Sequence, residues 1–388
     1  MKSSRKLIIY SISFIVCMSF ILGILISNKN IVVKANFDEN INYRSAVLVE
    51  RNSGKVLIED NAHERHPIAS VTKLMTILLT LENLENGTMS LTDEVLVSEN
   101  ANRMGGSQIF LDANVKYKLE DLLKSVIVCS ANDSSVALAE HIAGSENNFV
   151  KLMNEKVKEL NLQNTNYANC TGLPSTEGYS SAYDQAIILN KVLNYDLYHK
   201  YSSVWFEDFT HPGGRITQMT NTNKLSRFYS GCIGGKTGYT YQAKFCLAVG
   251  AKRNDMELIS VVLGAENSKD RFKLASDLLN YGFENYTSKT LFSNADLKDK
   301  TISIKGGDRV AKLKAEREFS YVCNKTDEIN YSLNFNLPNQ LTSVSENQVV
   351  GNVEIVINGI VEDTINIISC DNFEEATIWE NFKEIIKE

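Results

Sequence analysis

Residues 234–264 constrain the fold of this chain more than any other stretch. They open on Gly234-Gly235-Lys236-Thr237-Gly238 and continue into two strand-like runs, Phe245–Ala251 and Leu258–Leu263, with Arg253-Asn254-Asp255 at the turn between them. Apolar and β-branched runs bounded by Asn, Asp and Gly read as strands joined by tight turns. Far upstream, Ser45–Glu50 and Lys55–Glu59 make a second hairpin pattern around Asn52-Ser53-Gly54. Helical patterns separate the two β regions, at Ser70–Asn86 with Gly87 as its stop, Leu119–Ser130, Ser134–Ala143, Phe149–Leu160 and Tyr183–Val192. Residues 161–182 read as loop, and a further helix over Ser268–Phe283 completes the set. Strands at both ends with helices between predict an α+β domain whose early and late strands share one sheet.

From about residue 291 the texture changes. Thr301–Lys305, Phe319–Val322, Tyr331–Phe335, Gln348–Ile357 and Asp363–Ser369 are short β-prone runs between polar or glycine-containing turns, which predicts a small, mostly-β second domain. The expected partition is a leader over 1–35, a main domain over 36–287, the β-rich domain over 291–376 and a short amphipathic helix over 377–388. In the leader, Leu7–Ser27 is an apolar run long enough to cross a bilayer, behind Lys2, Arg5 and Lys6. Val33-Lys34-Ala35 offers a cleavage site, so the segment is a signal peptide or a retained N-terminal anchor, with cleavage the favoured outcome. Bulky Val16 before Cys17 argues against a lipid-attachment cysteine.

The leader's five basic residues mask an acidic body. Residues 36–388 carry 35 bases against 47 acids, a net −12, which excludes a general nucleic-acid binder. At the C-terminus Ile378, Trp379, Phe382, Ile385 and Ile386 share one helical face, while Glu374, Glu375, Glu380, Glu384 and Glu388 outnumber Lys383 and Lys387 on the other. Anionic lipid repels such a face, so peripheral membrane anchoring and packing on the protein both stand as expectations.

Three segments carry chemistry. Ser70-Val71-Thr72-Lys73 is an S-x-x-K tetrad at the start of an apolar helix, where a spacing of three brings the Lys73 amine to the Ser70 hydroxyl. A serine hydroxyl needs an adjacent base, and lysine serves when burial and nearby positive charge keep part of it neutral. Ser130-Ala131-Asn132 follows about 60 residues later at a helix end; Ser130 can pass a proton to a leaving amine, and Asn132 can donate to a substrate carbonyl and hold Lys73. Both residue types are also ordinary helix caps. Lys236-Thr237-Gly238 comes third, suited to hold a carboxylate at a strand edge and to let a substrate backbone approach. Each segment alone is weak, and their order and context together are specific, because this trio marks serine β-lactamases and penicillin-binding proteins.

With the trio go Ala69–Thr76, Gly106–Leu111, Ser130–Glu140, Thr171-Gly172-Leu173, Tyr179–Asp184, Gly235–Thr240 and Leu258–Gly264. On these motifs the chain, from roughly residue 40 to 285, resembles the low-molecular-mass penicillin-binding proteins that act as serine-type D-alanyl-D-alanine carboxypeptidases. Residues 291–376 resemble their C-terminal domain more weakly: Gly351 and Gly359 fit, whereas Leu341-Thr342-Ser343 stands where an Ala-Pro pair is usual. The resemblance implies the serine β-lactamase/DD-peptidase fold, an antiparallel sheet flanked by helices. It implies Ser70 as the acylated nucleophile, Lys73 as its base and Ser130 as the proton relay. Asn132, Lys236, Thr237 and Gly238 would bind substrate, with the N–H groups of Ser70 and Tyr239 as the oxyanion hole. The implied partners are peptidoglycan stem peptides ending in D-Ala-D-Ala, β-lactams as covalent inhibitors, and the membrane through either terminus; no cofactor or metal is implied, and the enzyme works outside the cytoplasm.

Rival activities differ from this one at identifiable residues. Class A β-lactamases deacylate with a glutamate in an E-x-x-L-N element, absent from 133–235, where Glu177 is the nearest acid. A murein DD-endopeptidase shares every motif, and a catalytically silent penicillin-binding scaffold would not need all three intact. His63-Glu64-Arg65-His66 lacks metalloprotease spacing. The cysteines at 129, 170, 232, 246, 323 and 370 form no CxxC pair and read as small buried hydrophobes, Cys129 included.

Overall fold

The structure of the protein, a computed structural model, describes residues 41–306 and 309–379. The leader, its cleavage site and most of the 377–388 segment lie outside the described residues. Strands β1 (Ser45–Glu50) and β2 (Val56–Asp60) form the first hairpin. Helix α1 (Lys73–Glu85) follows; then β3 (Glu94–Leu96), α2 (Glu99–Asn102), β4 (Lys116–Lys118), α3 (Leu119–Val128), α4 (Asn132–Ala143), α5 (Glu146–Glu159), α6 (Ala182–Val192) and α7 (Asp196–Ser202). The hairpin β5 (Phe206–Thr210) and β6 (Ile216–Thr220) and the single turn α8 (Leu225–Phe228) lead into β7 (Cys232–Thr240), β8 (Lys244–Arg253), β9 (Met256–Ala265) and α9 (Ser268–Asn285).

The main sheet runs β2-β1-β9-β8-β7, antiparallel throughout, so the first strands pair with the last and β7 is left at an edge. Period-two alternation sends Ala46, Leu48, Leu258 and Val262 to one face, under Leu274, Leu278 and Leu279 of α9. Val47, Val49, Ile259 and Val261 face the other way, into the core built by α1, α3, α4 and α6. One expectation needs correction. The predicted helix over Ser70–Asn86 begins later: Ala69–Thr72 is a 3-10 turn and the α-helix starts at Lys73. Ala69 sits at φ +47°, a left-handed conformation that prevents the helix from extending back through Ser70. The β5–β6 hairpin had no sequence signal, because each strand buries a single residue, Phe209 and Met219, and neighbouring polar residues obscure the alternation; helix α7 is likewise an addition to the sequence reading.

Beyond Asn285 come β10 (Tyr286–Phe292), β11 (Thr301–Ile304), β12 (Arg309–Ala315), β13 (Phe319–Asn324), β14 (Tyr331–Asn336), β15 (Gln340–Leu341), β16 (Val349–Ile357) and β17 (Ile360–Ser369). Six of them form a sheet in the order β14-β16-β17-β12-β11-β15, and β10 pairs with β13. Asn358 and Gly359, both at positive φ, make the two-residue turn between β16 and β17. Strand β12 carries little sequence signal because alanine and lysine, which make up Ala311, Lys312, Lys314 and Ala315, are weak strand formers although the run alternates around buried Leu313. The two parts dock where Val322 of β13 enters the core under α9, with Lys55 Nζ donating to Val322 O at 2.8 Å. Of the cysteines, 170, 246 and 323 are buried and 129 and 232 half-buried; Cys370 is exposed, against the expectation that it would pack inside.

Candidate active site

Ser70 owes its position to two glycines from distant segments. A side chain at Gly172, itself at φ +80°, would place Cβ 1.9 Å from Ala69 O, and one at Gly238 would lie 2.6 Å from Ile68 O and 2.9 Å from Ser70 N. Only glycine lets both segments close on the backbone of the 3-10 turn. The turn points Ser70 at Lys73 one step further along, so the sequence spacing of three survives the change of helix type.

Lys73 is fully buried, with Nζ 2.9 Å from Ser70 Oγ, 2.5 Å from Asn132 Oδ1 and 2.7 Å from Thr171 O. The last two atoms only accept. A neutral amine satisfies both with its two hydrogens and keeps its lone pair for the proton of the Ser70 hydroxyl. Burial pushes the same way, lowering the Lys73 pKa to about 7 against the opposing pull of Cys170, Cys129 and Asp133. Asn132 is oriented by its other end: Nδ2 donates to Gly105 O at 2.6 Å and the backbone N to Ser107 O at 2.7 Å. Next to it, buried Asp133 accepts from the N–H groups of Ile109 and Leu111, both at 3.1 Å, which fastens the 105–111 loop beside the site.

Ser130 is buried at φ +65°, held between α3 and α4. Its Oγ accepts from Lys236 Nζ at 2.8 Å across 106 residues of sequence, and Lys236 also donates to Thr237 O at 3.0 Å. Burial first, then the positive charges of Lys73 and Arg271, hold Lys236 well below the usual lysine range. Thr237 is buried on the edge strand, whereas the Tyr239 ring is exposed and stacks near Phe245 at 4.3 Å. What β7 brings to Ser70 at Gly238 is therefore backbone.

Arg271 on α9 was missed by the sequence reading. It is 8% exposed and donates to Gly238 O at 2.9 Å and Cys246 O at 3.2 Å, with its pKa lowered by burial to about 10. The available signal was an arginine in register with the apolar stripe 274, 278 and 282 of its helix. Among the described residues none of Lys73, Lys236 and Arg271 meets a carboxylate in a hydrogen bond or ion pair. Three buried basic side chains without an acid make a site suited to an anionic ligand.

The other residues singled out lie elsewhere or are inert. Cys129 donates to Ser125 O, and burial pushes its thiol up to about 12, far from a reactive thiolate. Glu177 is exposed. The segment that touches Lys73, residues 169–173, presents the Thr171 carbonyl and contains no acid. His63 lies against Tyr183, and the backbone of His66 bridges to Ser180.

A comparison of the sequence with protein families matches residues 31–267 to the D-alanyl-D-alanine carboxypeptidase family and residues 286–375 to the C-terminal domain of penicillin-binding protein 5. The chain belongs to the D-alanyl-D-alanine carboxypeptidase family. It is 40% identical over 287 residues to the D-alanyl-D-alanine carboxypeptidase DacF of Bacillus subtilis (strain 168), covering 74% of each chain. Penicillin binding protein 5 from Haemophilus influenzae has a similar crystal structure, with a TM-score of 0.72, 32% identity, and coverage of 87% of this chain and 99% of that one. The D-alanyl-D-alanine endopeptidase of Pseudomonas aeruginosa is 33% identical over 241 residues, 60% of this chain and 75% of its own. The family assignment makes this carboxypeptidase a serine-type hydrolase with a penicillin-binding fold followed by a mostly-β C-terminal domain.

Proposed function

We propose that this carboxypeptidase removes the terminal D-alanine from peptidoglycan stem pentapeptides through an acyl-enzyme on Ser70. The observation that carries the assignment is the pairing of a buried, neutral-capable Lys73 with Ser70 in a pocket whose cations have no acid of their own. The terminal carboxylate of the substrate docks at Lys236 and Thr237. Gly238 admits the peptide backbone alongside the edge strand β7, and the Asn132 amide meets the peptide carbonyl upstream.

Ser70 Oγ attacks the penultimate D-Ala carbonyl as its proton passes to Lys73 Nζ. Gly238 packs against the Ser70 N–H, and we assign the oxyanion to the N–H groups of Ser70 and of Tyr239, the next residue. The C–N bond breaks as the proton held on Lys73 passes through the Ser130 hydroxyl to the nitrogen of the departing D-alanine, which restores both Lys73 and Ser130 to their starting protonation, with Lys236 hydrogen-bonded behind Ser130. Water then adds to the ester, giving up a proton as Ser70 recovers its own. With no acid in residues 169–173 beside Lys73, we assign the base in this second step to Lys73 as well. β-Lactams acylate the same serine. The absence of an acid at 169–173 disfavours rapid hydrolysis of that adduct, as a β-lactamase requires.

The work site is extracytoplasmic, reached through the apolar leader. Among the described residues no helix is long and apolar enough to cross a membrane. We assign any membrane hold to residues 7–27 or to the apolar face of the C-terminal segment. Incubation of the protein with a D-Ala-D-Ala stem peptide, beside Ser70→Ala and labelled penicillin, tests the scheme. D-alanine release that survives in Ser70→Ala overturns it. Cleavage restricted to crosslinked dimers replaces it with the endopeptidase.

A further inference from the structure

The strand that carries Lys236 and Gly238 is irregular just before them. Pairing of β7 with β8 shifts register between Cys232 and Gly234, leaving Ile233 out of the ladder, and Gly234 sits at φ +141°. Helix α7 grips this bulge. Tyr198, fully buried, donates its hydroxyl to Gly235 O at 3.2 Å, and a Cβ at Gly234 would lie 2.7 Å from the Tyr198 ring.

His199, on the same helix, has Nδ1 2.8 Å from Ile233 O and Nε2 2.8 Å from Leu193 O. Both partners are carbonyl oxygens and can only accept. A neutral imidazole owns one N–H, so it leaves one nitrogen lone pair facing an oxygen; the doubly protonated ring donates to both. Leu193 is also the C-cap of α6, where unpaired carbonyls and the negative end of the helix dipole favour a cation.

We infer that His199 is a positioning residue for the Lys236-Thr237-Gly238 strand: its doubly protonated ring ties the bulge carbonyl of β7 to the end of α6, and loss of one ring proton releases that tie. This rests on the role proposed above for Lys236. The charged and titratable groups around the ring are Arg51, Lys252, Glu257 and the Cys232 thiol, which line the same cavity, with Asp196 and Lys200 on its own helix and Lys191 in the last turn of α6. Glu257 is already shared by Arg51 and Lys252. Carbonyls and a helix end, rather than a free acid, hold the second proton.

The ring itself is followed by NMR on the full chain with isotope-labelled histidine. There are five imidazoles, and that of His199 is identified by its loss in His199→Gln or His199→Phe. The expected spectrum shows both ring nitrogens of His199 protonated, each N–H bonded to a carbonyl, at the acid end of a pH series, with one of the two N–H signals lost at its alkaline end. In parallel, the rate of Ser70 acylation by a labelled penicillin is compared between wild type and His199→Gln. A ratio removes the common titration of Lys73. It should be about tenfold in favour of wild type near pH ~6 and fall towards unity above pH ~8. A ratio that is constant with pH, or a His199 ring neutral at every pH, overturns the inference. If the variants do not fold, the His199 ring is assigned in wild type by through-space contacts to Ile233 and Leu193, whose carbonyls it meets, and its two carbonyl-bonded N–H protons still decide it. A wild type that penicillin never acylates would sink the Ser70 assignment instead and leave the ring titration readable.

Discussion

Between Ile41 and Asn285 the core encloses Lys73, Ser130, Asn132, Asp133, Lys236, Thr237 and Arg271, all buried. Beyond Asn285 the core is Val353, Ile355, Ile357, Ile365, Ile367 and similar residues, and among the described residues Ser369 is the only buried polar side chain. Burying a polar group costs free energy unless every hydrogen-bonding atom finds a partner, and a buried unpaired cation costs more. The first region accepts that cost at the positions where the motifs meet. The second, stabilised by apolar alternation alone, has nothing comparable to react with. The contrast teaches where the molecule is shaped by chemistry and where by packing.

The strongest way to break that contrast is at the nucleophile. Ser70→Ala should lower D-alanine release from a stem pentapeptide by about four orders of magnitude and abolish penicillin labelling, with an unchanged melting temperature. Lys236→Met removes a buried cation that has no acid partner. Acylation should fall by about 10²–10³-fold, while thermal melting stays level or rises; a melting point lowered by several degrees would show that Lys236 supports the fold after all.

The pH dependence comes next in size. Burial lowers the Lys73 pKa to about 7, so below that value the amine is protonated and cannot take the Ser70 proton. The acylation rate should therefore rise about tenfold per pH unit up to about 7 and then level off, measured by stopped-flow with a chromogenic β-lactam. A rate that falls across the same interval would contradict a lysine base. The smallest effect on activity belongs to the other region. Ile355→Ala, in the sheet beyond Asn285, should destabilise that region by about 2–5 kcal/mol while hydrolysis of a soluble pentapeptide stays within about twofold. A large loss of turnover would mean that the β region shapes the catalytic pocket.

Much of the fold was legible because its signals are local. The β1–β2 and β8–β9 hairpins, the α9 helix and the strands β14, β16 and β17 follow from alternation, turn residues and helical spacing. What was lost had weak local signals: β12, built from alanine and lysine, which are weak strand formers, and strands β5 and β6, with one buried residue each. The start of α1 was misplaced because the Ala69 backbone is set by glycines at 172 and 238, about a hundred residues or more away.

The same division runs through the site. Sequence alone determined the cast: a serine and a lysine three apart, Ser130 and Asn132 beside a helix end, and Lys236-Thr237-Gly238 entering a hairpin. Residue type and spacing are properties of the chain. Tertiary structure decided the protonation and the company of each group. Lys73 has its pKa lowered because it is buried against Asn132 and the Thr171 carbonyl, Lys236 reaches Ser130 across the pocket, and Arg271 and His199 join only through packing. Burial, electric field and the choice between donor and acceptor are set by neighbours that the fold assembles, and no stretch of sequence contains them.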